Sequence, residues 1–541
     1  MPPADVAVSL LLGALTALSR VPFRAHLLPT WDAVQFALAL DRYDIVAHRP
    51  HPPGYILYVA AARAVEALGL DATQSFVWLS VLASGATIAL SYRLGWMLYG
   101  RLAAAVAAVG LAASPLFWIY GELGLPYAVE AALAAAVAVL TWPARCGQRR
   151  FVLWSALALG VAGGVRQSLL LVLLPFWVAM VWAGMRRAGP LLAGAVAMAA
   201  TAALWLVPMV WLTGGPAAYL RASRELFQST VEPGTALGAA GAWLGNVRGG
   251  IEALALGMGL LTPALVCDLS RRLRRPPDSR DWFLAAWILP PLGVYVGVHF
   301  GQYGYLLTVL PALYILIAPG LAAVLATPTG ALRPTGAAAL AGALVVHVLF
   351  VLGAPPIPVP EAGEHASGAA RALASATALY RYRIWSHTVP GLREQEAVIA
   401  AYTAAIRRDF DPANSAIVVE LGNRRSYPWF RHVTYYLPEF RTYHLRLPPW
   451  SRGYLDSARL ASMAARDDDR IALPPGVRRL VWMVDHWNPA MPRPPGLREL
   501  ALPYGRRLYV LDLDGRVVEH GGYQFEPASA PAPAASRPGG G

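Results

Sequence analysis

Two charged side chains stand where this apolar chain could carry out chemistry. Arg166 lies in the middle of the run ALALGVAGGVRQSLLLVLLPFW, and Asp32 opens the helix-like stretch WDAVQFALAL. A guanidinium binds oxyanions, a carboxylate accepts protons, and a charge inside an apolar span usually marks a site or a cavity. Each residue also has an ordinary interpretation, Asp32 as a helix N-cap and Arg166 as an arginine that reaches the lipid headgroups.

Further polar and aromatic residues lie at the ends of neighbouring apolar runs. His51 begins the turn His-Pro-Pro-Gly, in which the prolines fix φ and Gly54 lets other backbone approach closely. Glu122 and Glu130 flank a second turn. The ordinary interpretations are a structural turn for the histidine, solvated loop acids for the glutamates, and interface-belt residues for the aromatics. The aromatic and amide candidates are Tyr55, Tyr127, Gln302, Tyr303 and Tyr305.

The composition determines which elements can position these residues. Of the 541 residues, 56% are hydrophobic and 14% are charged, and the mean hydropathy is +0.45. So much apolar surface does not fit inside one water-soluble core, so the bilayer must be the solvent. The formal charge of +13 comes from arginines that cluster in short loops between apolar runs, which is typical of inside-facing loops and argues against nucleic-acid binding.

Apolar runs close to the ~20 residues needed to cross a bilayer recur as far as residue 354, and we count about eleven spans. They lie at 6–22, 74–97, 101–120, 124–142, a hairpin over 151–185 that counts twice, 190–213, 243–266, 282–299, 303–325 and 334–354. The arginine clusters at 93–101, 145–150, 186–187 and 271–280 should be cytoplasmic. This orientation puts the N-terminus inside, the loops 23–73 and 214–242 outside, and Arg166 at the outer tip of the hairpin. Within the first outer loop, residues 53–70 are predicted to form an interfacial helix.

The sequence changes in kind after the transmembrane region 1–354. Residues 355–395 are predicted to be a linker and a helix. In 396–525 the helix-like AVIAAYTAAIRRDF precedes strand-like segments such as SAIVVEL and RRLYVLDLD, which predicts a small α/β domain. The tail 526–541 is rich in Pro, Ala and Gly and is predicted to be disordered. The fold class is thus an all-α polytopic membrane protein with a small extracytoplasmic C-terminal α/β domain.

Three segments resemble those of a known family. They are an acidic residue after the first span with HPPGYILY at 51–58, then SPLFWIYGELGLPYAVEA at 114–131, and GQYGYLLTVLPALYIL at 301–316. In order and spacing, residues 5–325 resemble GT-C glycosyltransferases, especially family 39 protein O-mannosyltransferases and the lipid A aminoarabinose transferase.

This resemblance implies a multi-pass enzyme of the bacterial inner membrane that transfers a sugar from a polyprenyl-phosphate donor to an outer-face acceptor, which is a lipid, a glycan or a protein. The reaction would be an inverting displacement with Asp32 as the base. The residues expected to contact the donor or its phosphate are Arg166, His51, Gln302 and Tyr303. The residues expected to contact the sugar or acceptor are Glu122, Tyr127 and Tyr55.

The chain departs from the family pattern at two places. Many relatives have an acidic pair in the first loop, whereas here Gln35 follows Asp32 at helical spacing. The late motif usually brings a Lys, Arg or His close to its aromatic residue, whereas here Gln302 and Tyr303 follow His299. These departures bear on phosphate contacts and on metal binding, and a divalent metal ion is the one cofactor that the sequence leaves open.

Two other function classes remain open at the level of sequence. A polytopic transporter or a flippase for lipid-linked sugars could also use an intramembrane Arg166, although the spans have no inverted-repeat pattern or paired broken helices. A non-catalytic scaffold of the same fold could use its C-terminal domain to bind partners. Assays of reconstituted protein would separate the three classes. Sugar transfer would identify a transferase, net movement of lipid-linked substrate a transporter or flippase, and neither activity a scaffold.

Overall fold

The computed structural model describes most of the chain. The described residues are 1–236, 241, 243–326, 332–360, 367–420, 430–446, 453–459, 466, 468–484 and 492–528. Most of the predicted disordered tail and part of the predicted outer loop 214–242 lie outside these residues.

Helices dominate the described residues up to the predicted end of the spans. The first ten helices are α1 (Pro3–Arg20), α2 (Trp31–Asp41), α3 (Ile56–Glu66), α4 (Ala72–Tyr99), α5 (Arg101–Ala112), α6 (Pro115–Tyr120), α7 (Tyr127–Arg145), α8 (Arg150–Val165), α9 (Gln167–Met185) and α10 (Ala188–Leu212). They are followed by α11 (Pro216–Leu226), α12 (Leu244–Met258), α13 (Thr262–Leu273), α14 (Ser279–Gly297), α15 (Leu310–Ala326), α16 (Leu332–Gly353) and α17 (Gly368–Leu379).

These helices confirm a polytopic membrane protein. Seven helices among the described residues are long and apolar enough to cross a membrane, and the shorter apolar helices include α5, α8 and α15. Each predicted apolar run coincides with a helix or with a pair of consecutive helices. The number eleven, the orientation of the termini and the inner-membrane location stay predictions.

Local sequence explains where two runs are interrupted. The third run breaks at Ser114, whose hydroxyl accepts a hydrogen bond from the Phe117 amide at 3.4 Å and donates one to the Gly257 carbonyl at 2.6 Å, while Pro115 starts α6. The 151–185 hairpin breaks at Arg166, which has extended φ and ψ of −154° and 121° between α8 and α9. The charged residue therefore lies at a junction between two helices.

The remaining described elements form a mixed α/β region. After α17 come α18 (Val389–Asp409), β1 (Ser415–Glu420), α19 (Phe430–Tyr436), β2 (Arg441–Arg446), β3 (Gly453–Asp456), β4 (Arg470–Ala472), β5 (Arg479–Met483), β6 (Arg498–Leu502), β7 (Arg506–Asp512), β8 (Val518–His520) and β9 (Tyr523–Glu526). One sheet has the order β3-β2-β1-β5-β7-β6, and a three-stranded sheet has the order β4-β9-β8. The predicted C-terminal α/β fold is confirmed.

The central strand β1 explains how this sheet is buried on both faces. It runs parallel to both β2 and β5, and its side chains alternate between two cores. Ile417 and Val419 pack with residues of α18 and α19, while Ala416 and Val418 pack in a second cluster with Phe525 of the smaller sheet.

The chain separates into two compact units. Unit 1 comprises Met1–Leu28, Ala39–Ile45 and Arg49–Arg393, and unit 2 comprises Pro29–Leu38, Val46–His48 and Glu394–Gly541. The predicted outer loop 23–73 is therefore divided between the units, because part of it packs with the C-terminal sheet. The boundary at 393/394 lies within α18.

Candidate functional site

A buried ion pair forms the centre of a candidate site in unit 1. The Arg166 Nη1 atom lies 3.3 and 3.2 Å from the two carboxylate oxygens of Glu130, and the side chains are 9% and 2% exposed. Among the described residues, Arg166 makes no other side-chain hydrogen bond, which leaves the N–H groups of Nε and Nη2 available. These two nitrogens form the planar fork that matches the oxygens of a phosphate or a carboxylate.

Aromatic rings surround this guanidinium. The Arg166 Cζ lies 4.1 Å from the ring centre of Tyr305 and 5.6 Å from that of Tyr127. The two tyrosine rings are 5.8 Å apart, and Tyr120 meets Tyr127 edge-on at 5.2 Å. Tyr127 and Glu130 are three residues apart in the first turn of α7, so both face Arg166. Such contacts stabilise a cation, and they cover the flanks of the guanidinium with aromatic rings.

The His-Pro-Pro-Gly turn adjoins the same place. The side-chain Nε2 of Gln167 donates to the Pro53 carbonyl at 3.0 Å, which connects the turn to the residue next to Arg166. Tyr55 follows the turn, hydrogen bonds His51 Nε2 through its hydroxyl at 3.1 Å, and lies close enough to Arg166 to interact with it electrostatically. The structure therefore brings His51, Tyr55, Tyr127 and Arg166 into one neighbourhood.

Gly54 permits this arrangement of the turn. Its φ is +121°, which L side chains rarely adopt, and a Cβ there would lie 2.6 Å from Ile45 Cδ1 and 2.8 Å from the Tyr43 hydroxyl. That hydroxyl donates to the Gly54 carbonyl at 2.6 Å. A side chain at position 54 would thus displace the turn.

The late motif forms a 3-10 turn, Tyr303–Thr308, beside this pocket. Tyr303 is 6% exposed, and its hydroxyl donates to Glu252 of α12. Arg383 Nε donates both to that Glu252 carboxylate, at 2.6 Å, and to the Tyr303 hydroxyl, at 3.0 Å. Arg248 Nε bonds the other Glu252 oxygen at 2.7 Å. The Tyr303 hydroxyl is thus engaged by protein groups.

His387 completes the wall of tyrosines. Its ring stacks on Tyr303 at 4.9 Å and lies 6.0 Å from Tyr120. Burial, together with the nearby positive charge of Arg383, lowers the pKa of His387 to about 4 despite an opposing backbone hydrogen bond, so the ring is neutral near pH 7. A chain of ring contacts therefore leads from the Arg166 pocket to the cluster around Glu252.

An apolar groove begins one turn beyond Arg166. It has a volume of about 450 Å³ and lies between α9 and α10. Leu170, Leu174 and Val178 line it from α9 and repeat every four residues after Arg166. From Leu170 to Val178 this stripe spans ~12 Å of helix length.

Two predicted site residues lie in other surroundings. Glu122 is fully buried and accepts a hydrogen bond from the Trp118 indole at 2.6 Å, and the Arg20 guanidinium lies 3.7 Å above the Trp118 ring. Gln302 precedes the 3-10 turn, is half-buried, and accepts a hydrogen bond from the Tyr305 amide through its backbone carbonyl at 3.1 Å. Their predicted roles stay predictions.

Asp32 belongs to unit 2. It lies half-buried in the first turn of α2, next to Trp31, whose ring is 6.4 Å from that of His444 in β2. Also within unit 2, the fully buried Arg431 donates to the Ala47 carbonyl. Because Asp32 and Arg166 belong to different units, a cavity common to both stays a prediction.

Several residues of the site, among them Glu130, Glu252 and Arg383, were given no role by the sequence. Glu130 could have been found, because a charge inside an apolar run needs a partner, and Glu130 lies one turn from Tyr127. Glu252 and Arg383 carried no such signal, because 131 positions separate them in the chain.

The described residues include no group of three or more His, Cys, Asp or Glu side chains that could hold a metal ion. Metal dependence stays open. The site consists of the Arg166 guanidinium, the Glu130 carboxylate and the aromatic rings around them.

Comparison with known proteins identifies the fold. No protein-family model and no curated protein sequence matches the chain. The chain is similar to a crystal structure of ArnT from Cupriavidus metallidurans bound to undecaprenyl phosphate, with a TM-score of 0.57 and 15% identity over 94% of this chain and 98% of that chain. For the apo state of the same ArnT the TM-score is 0.54, with 16% identity over 94% and 97%. The chain also matches the archaeal oligosaccharyltransferase AglB from Archaeoglobus fulgidus, with a TM-score of 0.42 and 14% identity over 80% of this chain and 63% of that chain. At these identities the likeness to ArnT establishes the fold, which is the one expected from the GT-C resemblance.

Proposed function

We propose that the chain is a membrane glycosyltransferase that takes its sugar from a polyprenyl-phosphate donor, and that the Nε and Nη2 groups of Arg166 contact the donor phosphate. The observation that carries this proposal is the buried guanidinium whose Nε and Nη2 groups make no hydrogen bond among the described residues. The lining of an apolar groove begins at Leu170, one helical turn later in the chain. The ArnT fold, one example of which holds undecaprenyl phosphate, supports the same ligand class.

Glu130 has a defined part in this proposal. It bonds Nη1 of Arg166, so the guanidinium is held in one orientation before the ligand arrives. The phosphate then meets a positioned fork in a poorly solvated site, where electrostatic stabilisation is strong. Tyr127 and Tyr305 flank the cation, and Tyr305, the less buried of the two, is the ring that would contact the sugar or the first part of the polyprenyl chain.

The reaction itself is an inverting displacement. The acceptor oxygen forms a bond to the anomeric carbon, the bond from that carbon to the phosphate oxygen breaks, and polyprenyl phosphate leaves with the bonding electron pair. The acceptor proton passes to a carboxylate, and Asp32 is our candidate for this base. Asp32 lies in the first turn of α2 and is half-buried, so its carboxylate is held by a helix and not by a loose loop.

The test uses the full-length protein in liposomes that contain lipid-linked sugars extracted from bacterial membranes. We expect sugar to move to a second membrane or surface component, with release of polyprenyl phosphate. Arg166→Gln should lower this rate, whereas Arg150→Gln should not, because Arg150 is exposed at the start of α8. Net movement of lipid-linked sugar across the bilayer without transfer would identify a flippase instead, and neither activity would favour a scaffold.

A further inference from the structure

Arg383 comes from the segment after the last predicted span, which the sequence suggests is only a linker and a helix. It bonds two other elements of unit 1, α12 and the 3-10 turn that begins at Tyr303. Its Nε atom lies 2.6 Å from Glu252 of α12 and 3.0 Å from the Tyr303 hydroxyl, and Arg248 bonds the same carboxylate from the opposite side at 2.7 Å. The Glu252 side chain is 11% exposed and Tyr303 is 6% exposed, whereas the Arg383 side chain is 47% exposed, so the bridge has a covered inner side and a solvent-facing outer side.

The 3-10 turn that begins at Tyr303 is held at a second point. A Cβ at Gly304 would overlap the ring of Tyr127, so the backbone of the turn lies directly against that ring. The next residue, Tyr305, lies over Arg166 with 4.1 Å between Cζ and the ring centre. Because the Tyr303 side chain is hydrogen-bonded and the Gly304 backbone packs against Tyr127, the Tyr305 ring that follows has little freedom to move relative to the Arg166 guanidinium.

We infer that Arg383 is a positioning residue of the donor pocket: by holding the Tyr303 hydroxyl and Glu252 together, it fixes the 3-10 turn and thereby the Tyr305 ring against Arg166. The inference rests on the proposed function for its effect on catalysis. The segment that follows the last predicted span is thus part of the site, through Arg383 and through His387, which stacks on Tyr303.

The first arm of the test needs no substrate. Hydrogen exchange is measured in full-length protein over residues 300–309, which include the turn and its approach. Arg383→Ala should raise exchange there, whereas Arg371→Ala should leave it at the wild-type level, because Arg371 is exposed on α17. Unchanged exchange in Arg383→Ala would overturn the inference whether or not the protein transfers sugar.

The second arm measures steady-state kinetics of transfer. Arg383→Ala should raise the KM for the donor on the order of tenfold and leave the KM for the acceptor unchanged, since small misplacements in a positioned site are costly. Guanidinium ion, added below the concentrations that unfold the protein, should restore the donor KM of Arg383→Ala. A structural defect would raise both KM values and would not be rescued, and that outcome contradicts the inference. Absence of transfer by the wild-type protein would count against the proposed function alone.

The third arm tests whether Arg383 acts through its hydrogen bond to the Tyr303 hydroxyl. Tyr303→Phe keeps the ring that stacks on His387 and removes the hydroxyl that Arg383 bonds. The loss in the double variant with Arg383→Ala should be smaller than the product of the two single losses, because both changes remove the Arg383–Tyr303 bond, although each also removes a separate bond to Glu252. Multiplied losses would mean that Arg383 acts by another route and would overturn the inference.

Discussion

Replacing Glu130 by Gln should destabilise the protein and also change its response to polyprenyl phosphate. The substitution keeps the size of the side chain but leaves the Arg166 guanidinium, 9% exposed, without its counterion. Removing one partner of a buried pair costs about 3–5 kcal/mol. At about 2 °C per kcal/mol, the value for larger domains, the unfolding temperature should fall by about 6–10 °C.

The ligand should reverse much of this loss. In Glu130→Gln a bound phosphate supplies the negative charge that Arg166 lacks, so polyprenyl phosphate should raise the unfolding temperature more than it does in the wild type. At a concentration one hundred times its Kd a ligand contributes about 2.7 kcal/mol. Thermal unfolding of detergent-solubilised protein, with and without polyprenyl phosphate, measures both effects.

Two control variants test whether the buried Arg166–Glu130 pair causes these effects. Glu225→Gln removes an exposed glutamate on α11 and should leave the unfolding temperature unchanged. The double variant Glu130→Gln with Arg166→Gln removes both charges and should be more stable than Glu130→Gln alone. If Glu130→Gln unfolded at the wild-type temperature, or if the double variant were the least stable of the set, the buried pair would not act as described.

Three further predictions concern other parts of the chain. Asp32→Asn should abolish transfer while leaving the unfolding temperature and membrane insertion unchanged, and full activity of this variant would show that Asp32 is not the base. Gly304→Ala should destabilise by about 1–3 kcal/mol through its clash with Tyr127 and should also lower transfer, so normal unfolding would contradict the packing described. Burial, reinforced by nearby arginines, lowers the pKa of His444 in the folded protein to about 3. Because the unfolded chain takes up a proton near pH 6.5 and the folded form does not, unit 2 should lose stability as the pH falls below about 6.5, by up to about 2 kcal/mol at pH 5. Hydrogen exchange in β2 that did not change between pH 7 and pH 5 would refute this.

Hydropathy was sufficient to locate the long apolar helices, because length and apolarity are what the bilayer requires of a span. It also indicated a helical hairpin with Arg166 at its middle, where the structure has a break between α8 and α9. The C-terminal α/β region followed from the alternation of helix-like and strand-like segments. The division of the first predicted outer loop between two units had no local signal, since it depends on packing between residues distant in sequence.

The partners of the candidate residues were harder to predict than the residues themselves. Glu122 and Glu130 both lie in the same motif, and only the structure distinguishes them: Glu122 bonds Trp118 one turn away, whereas Glu130 bonds Arg166. Tyr303 was a predicted phosphate contact, yet its hydroxyl is bonded by Glu252 and Arg383. Side-chain pairing of this kind depends on helix rotation and on contacts across the bundle, which hydrophobic periodicity does not specify.

The most direct test of the central claim is photo-crosslinking of a polyprenyl phosphate that carries a photoreactive group near its phosphate. We expect the label in wild-type protein to map to the start of α9 and to the turn that contains His51, and we expect it to be lost in Arg166→Gln but kept in Arg150→Gln. Labelling confined to other helices, or equal labelling of Arg166→Gln and the wild type, would contradict the assignment of Arg166 to the donor phosphate.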